Sequence, residues 1–136
     1  MNNDQYVRHP SGVSEQKLSK RFGLHWDNDT HDWELIVSDS GRIKDFLKVY
    51  QNELNNDDDK FTLMGLIVSS FDDAGPDYDE ETFKYWDICK IILENECYLH
   101  YSIIEYWSFL ESELDEAFPI SPLIRKVWEK VKVNFL

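Results

Sequence analysis

Residues 61–71 read FTLMGLIVSSF, and Phe61, Leu63, Met64, Leu66, Ile67, Val68 and Phe71 fall almost all round a helical wheel. A helix apolar on every side must be covered on every side, so this segment predicts a central helix with others packed about it. The neighbouring patterns agree. Ile43, Phe46, Leu47, Tyr50 and Leu54 recur at i, i+3, i+4, i+7 and i+11, which predicts one buried helical face, with Asp39 or Ser40 as its cap. Ile124, Val127, Trp128 and Val131 form a second such face, opened by Ser121 and Pro122 as an N-cap and N1 pair.

Between these elements the chain supplies stops. Gly23 suits the end of a short helix over 14–22, and Gly75 with Pro76 breaks the central helix inside the largest loop, DDAGPDYDEE. Asp79 is placed to cap a helix through Phe83, Trp86, Ile88, Cys89, Ile92 and Leu93. A further helix is expected from Cys97 to Leu114, interrupted from its predecessor near Asn95. WELIV, Trp33 to Val37, has the bulky apolar residues of a short strand or extended stretch, with helix as the competing reading. The fold class expected is therefore mostly all-α: a single-domain antiparallel array of about five to six helices over 1–136, with 1–12 as a frayed lead-in.

Charge narrows the function. Lys and Arg number 14 against 27 Asp and Glu, a formal net charge of -13, and the balance is uneven. Residues 1–24 carry +2 and 119–136 carry +3, which leaves -18 on 25–118. Such a field repels nucleic acid and anionic membranes and speeds encounter with a basic partner. No apolar run has the length of a membrane span, and the polar start lacks the hydrophobic core of a signal peptide, so a cytoplasmic location is expected. Cys89 and Cys97, eight residues apart in helical sequence, lie too far apart to bridge, which fits reduced thiols.

Motifs for chemistry are missing. The chain has no G-x-S-x-G elbow, no phosphate-binding glycine loop and no H-E-x-x-H pair. Cys97 with His100 lacks a second ligand pair for zinc. His25 and His31, amid Asp27, Asp29 and Asp32, make no complete set, and a calcium loop begun at Asp27 puts Asp32 where glycine is needed. No enzyme activity, cofactor or metal is expected. Arg125, Lys126, Lys130 and Lys132 beside Trp128 read as the solvated face of the last helix, not as a phosphate-contacting patch.

The acids themselves remain. Six carboxylates, Asp72, Asp73, Asp77, Asp79, Glu80 and Glu81, lie within ten residues, more than helix capping uses. Tyr78 and Tyr85 add amphipathic rings of the kind that anchor interfaces. Together with Asp57, Asp58 and Asp59 they form the expected partner-binding set. Carboxylates with tyrosine suit a Lys- and Arg-rich surface, where charge steers association.

DWELIVSDSGRIKDFLKVYQ, DDDKFTLMGLIVSSFDDA, the Tyr85-Trp86 helix and LHYSIIEYW together resemble the small bacterial immunity proteins of contact-dependent growth inhibition and other polymorphic toxin systems, over residues 32 to 130. The resemblance implies a cytosolic inhibitor of one cognate toxin domain, often a nuclease. The partner expected is thus a basic toxin protein, with no direct contact to nucleic acid or membrane, and a chain that is a monomer or weak dimer. The alternative is an acidic helical adaptor or regulatory subunit, a nucleic-acid mimic among its forms, for a basic cellular protein.

Overall fold

The computed structural model describes residues 3–136. Among them the regular elements are all helical: α1 (Gly12–Phe22), α2 (Trp33–Ile36), α3 (Ile43–Glu53), α4 (Asp57–Ala74), α5 (Glu80–Asn95), α6 (Tyr101–Ser108) and α7 (Ser121–Val131), with short 3-10 turns at Asp4–Tyr6, Ser40–Arg42, Leu114–Glu116 and Lys132–Phe135. They group into two compact units. One is 9–73; the other joins 74–136 to the N-terminal segment ending at Arg8.

In the unit 9–73, α4 is the central helix its sequence requires, and every residue from Phe61 to Phe71 is buried. α1 begins under the Ser11 hydroxyl, which accepts from the Ser14 N–H, and ends where Gly23 takes the left-handed conformation. A left-handed C-terminal residue satisfies carbonyls the helix leaves open, here through the Gly23 and Leu24 N–H groups on the Ser19 carbonyl. Arg42 closes the same end. Its guanidinium donates to the Phe22 carbonyl at 2.9 Å and lies over the rings of Phe22 and Phe46, whose own contact is edge-on at 4.8 Å. α3 follows a 3-10 turn capped by Asp39 and buries Ile43, Phe46, Leu47, Val49 and Tyr50.

The extended stretch expected at Trp33–Val37 is instead the helical turn α2. The apolar residues there follow no two-residue period: Trp33 is fully buried, while Leu35 and Ile36 point to solvent. A lone strand would leave its backbone groups without a ladder, whereas a helical turn pairs them locally. Trp33 anchors it, donating from Nε1 to the Ser19 hydroxyl at 2.9 Å.

In the other unit, α6 packs on α7, and α7 on α5. The helix expected over 97–114 is shorter, because Phe109 adopts a left-handed φ of 48° and ends α6. Arg125 stabilises that end. Its Nε donates to the Ser108 carbonyl at 2.6 Å and its Nη2 to the carbonyls of Phe109 and Ser112, so a cation sits at the negative end of the helix. The side chain read as part of a solvated basic face therefore works inside the fold. Lys130 and Lys132 pair with Glu94 and Glu129, at 3.2 and 2.7 Å.

Ser121 also departs from expectation. The first helical bonds of α7 run to the Ile120 carbonyl, and the buried Ser121 hydroxyl accepts from the Phe118 N–H while donating to the Trp107 carbonyl at 2.6 Å. It ties the start of α7 to the end of α6 and does not cap its own helix. The lead-in is likewise anchored between residues 4 and 8. Tyr6 packs against Tyr98 and Phe135 with ring centroids 5.2 and 5.3 Å apart, and the Arg8 N–H donates to the Ser102 hydroxyl.

Candidate functional site

The residues expected to bind a partner divide among three places. Asp57, Asp58 and Asp59 stand in the first turn of α4, and Asp72 and Asp73 in its last turn. At about 1.5 Å of rise per residue the two ends are roughly 20 Å apart, so one partner side chain cannot engage both. Asp77, Tyr78, Asp79, Glu80, Glu81 and Tyr85 belong to the loop before α5 and its first turns.

Asp59 is not a surface residue. It is 6% exposed, and its carboxylate accepts from Ser14 Oγ at 2.6 Å, Lys17 Nζ at 2.7 Å and Asn56 Nδ2 at 2.8 Å, while its own N–H donates to Asn56 Oδ1. Burial pushes the carboxyl up, but the hydrogen bonds from Lys17, Ser14 and Asn56 outweigh it and hold the group below the ordinary carboxylate range. The arrangement joins α1 to the start of α4. Asp57 and Asp58 remain exposed, at the end of α4 where the helix dipole favours negative charge.

Asp72 and Asp73 have the opposite placement. Two carboxylates in the last turn of α4 face the negative end of its dipole, and no basic residue shares that turn. Ser38 donates to Asp73 and offsets part of the cost. Helix electrostatics gives no reason for acids at this end.

The loop leading into α5 is held by close contacts. A Cβ at Gly75 would come within 3.1 Å of Pro119 and 3.2 Å of the Tyr78 hydroxyl, so only glycine fits without displacement. The Tyr78 ring, half-buried, meets Phe83 edge-on at 5.5 Å. Asp79 caps α5, accepting from the Thr82 N–H at 2.8 Å, and that backbone bond lowers its carboxyl below the usual range. Tyr85 donates its hydroxyl to Glu81 at 2.7 Å. Asp77 and Glu80 are exposed.

Of the apolar residues that the sequence places along α5, Trp86, Cys89 and Leu93 turn inward, at i, i+3 and i+7, and the buried Cys89 thiol is pushed up by desolvation. Phe83 and Ile88 are 45% and 36% exposed, and Ile91 is 53% exposed.

No group of three or more His, Cys, Asp or Glu side chains placed to hold a metal ion occurs among the described residues. Cys97 and His100 are buried, and Asn134 donates to the Cys97 sulfur at 3.6 Å. His25 meets Asp27, at 2.9 Å, on an exposed loop. No helix among the described residues is long and apolar enough to cross a membrane. Comparison with known proteins found no matching family model, no matching curated protein and no matching solved structure.

Proposed function

We propose that the chain is an immunity-type inhibitor that binds and neutralises a cognate basic toxin domain, acting through its acidic surface around the start of α5. The observation that carries this reading is a surplus of charge. Residues 74–118 hold twelve carboxylates and two lysines, more acids than one cap and the first turn of α5 use, and Asp77 stands exposed before that turn. Like charges held close together destabilise the compact state, so an excess of this size is a cost to the fold. It is recovered when a basic surface docks, because complementary charge accelerates encounter and excludes wrong partners.

Tyr78 and Phe83 give the same region apolar contact area. Aromatic side chains amid polar ones are the residues that dominate binding energy at protein interfaces. The resemblance to immunity proteins points the same way and supplies the partner class, a toxin domain with a Lys- and Arg-rich cleft.

The test is co-expression with the product of the neighbouring gene. The expected result is a complex that survives purification, weakens with salt and restores growth to cells expressing the toxin. A neighbouring product that neither binds nor harms the cell overturns the reading.

A further inference from the structure

Three large apolar side chains, Phe83, Ile88 and Ile91, stand exposed on the outer face of α5 while its inward stripe is already filled. Ile88 and Ile91 are one turn apart, and Phe83 lies about two turns before Ile91, so the three stand on one half of the helix circumference with Lys84 and Asp87 between them. Scattered exposed apolar residues are ordinary, but three on one half of a single helix, interleaved with charge, suit a mixed interaction surface. Carboxylates edge it: Glu80 and Glu81 at its start, Asp87 within it, Asp77 and Asp79 just before. Of the two lysines on α5, Lys90 is engaged by Asp87 at 3.4 Å. The stretch 77–87 holds five acids and one base.

We propose that this face of α5 is the contact surface for the basic partner: Phe83, Ile88 and Ile91 enter an apolar depression whose rim carries lysine and arginine. The surface rests on the reading of the chain as a binder of a basic protein and adds apolar residues that the acid clusters alone do not specify. Charge selects the occupant. A second copy would bring another -13 of formal charge against this one, and an anionic membrane or nucleic acid would meet the same repulsion. A purely basic surface without an apolar patch would leave the three side chains in water. Only a partner with both features covers this face without unfavourable contacts.

The experiment measures binding of the full chain to a helical peptide of leucine and lysine with one apolar face, beside polylysine and a leucine–glutamate peptide of the same pattern. The unsubstituted chain should bind the leucine–lysine peptide best, and Phe83→Asp/Ile91→Asp should weaken that binding by at least about tenfold. Phe83→Ala and Ile91→Ala, which add no charge, should each weaken it by less and in the same direction. Circular dichroism should show the variants folded, since both positions face solvent. Equal binding of polylysine, undiminished binding by the double variant, or a dimer dispersed by that variant would each overturn the proposal. The same variants are then tested for protection against the neighbouring gene product. Protection retained by Phe83→Asp/Ile91→Asp removes this surface and leaves the toxin reading intact; an unsubstituted chain that binds the leucine–lysine peptide but gives no protection does the reverse.

Discussion

Asp57–Asp59 and Asp77–Glu81 look alike in the sequence, each a run of acids opening a helix, yet the fold uses them in opposite ways. The first run is organised around Asp59, which is buried and accepts hydrogen bonds from Ser14, Lys17 and Asn56. The second gives Asp79 to the cap of α5 and leaves Asp77 and Glu80 in water. Acid density therefore does not report function: Lys17 from α1 meets the buried Asp59, while Asp77 and Glu80 stand exposed.

The sharpest way to break this contrast is to delete the buried acid. Asp59→Ala leaves Ser14 and Lys17 without their acceptor and should cost about 2 kcal/mol, given the usual worth of hydrogen bonds to a charged group. Chemical denaturation measures it. Asp77→Ala, by comparison, should stay within about 0.5 kcal/mol of the parent, as exposed substitutions do. Equal losses at the two positions would erase the distinction.

Acid tests the buried carboxylate a second way. Because the folded Asp59 carboxyl lies below its ordinary range, its contribution is complete above the unfolded value, about 3.9, and disappears as pH falls through the folded one. Asp59→Asn should therefore flatten the acid limb of the stability profile. Urea midpoints from neutral pH downward give the answer.

Two smaller effects sharpen the picture at the helix ends. Asp79→Ala removes the cap of α5 and should cost about 1 kcal/mol, with faster amide exchange confined to the first turn of that helix. Asp57→Asn removes a carboxylate from the favourable end of the α4 dipole and should lower stability by about 0.3–1 kcal/mol. Thermal melts resolve both losses.

Much of the helical order is legible in the residues. The all-round apolar run of α4, the periodic face of α3, the Gly23 stop and the Asp79 cap are local signals, and the structure bears each of them out. What the sequence conceals is tertiary. Nothing in the pattern of Arg125 says that its guanidinium reaches three carbonyls at the end of α6, and nothing near Tyr6 says that it packs beside Phe135. α2 was ambiguous because five apolar-rich residues fit either period. Along α5, apolar residues stand on both sides of the helix, so composition alone does not say that Trp86, Cys89 and Leu93 are buried while Phe83 and Ile91 are exposed. The set proposed for binding loses Asp59 to the interior and gains the apolar face of α5.

On the proposed reading, the acids before α5 act in association and those before α4 in folding. Its most direct measurement is the affinity of the chain for the neighbouring basic gene product, by titration calorimetry, with Asp77, Glu80 and Glu81 changed together to lysine. The expected result is a loss of affinity of at least about a hundredfold, equivalent to about 2.8 kcal/mol, with the variant still folded by circular dichroism. Unchanged affinity in that variant would contradict it.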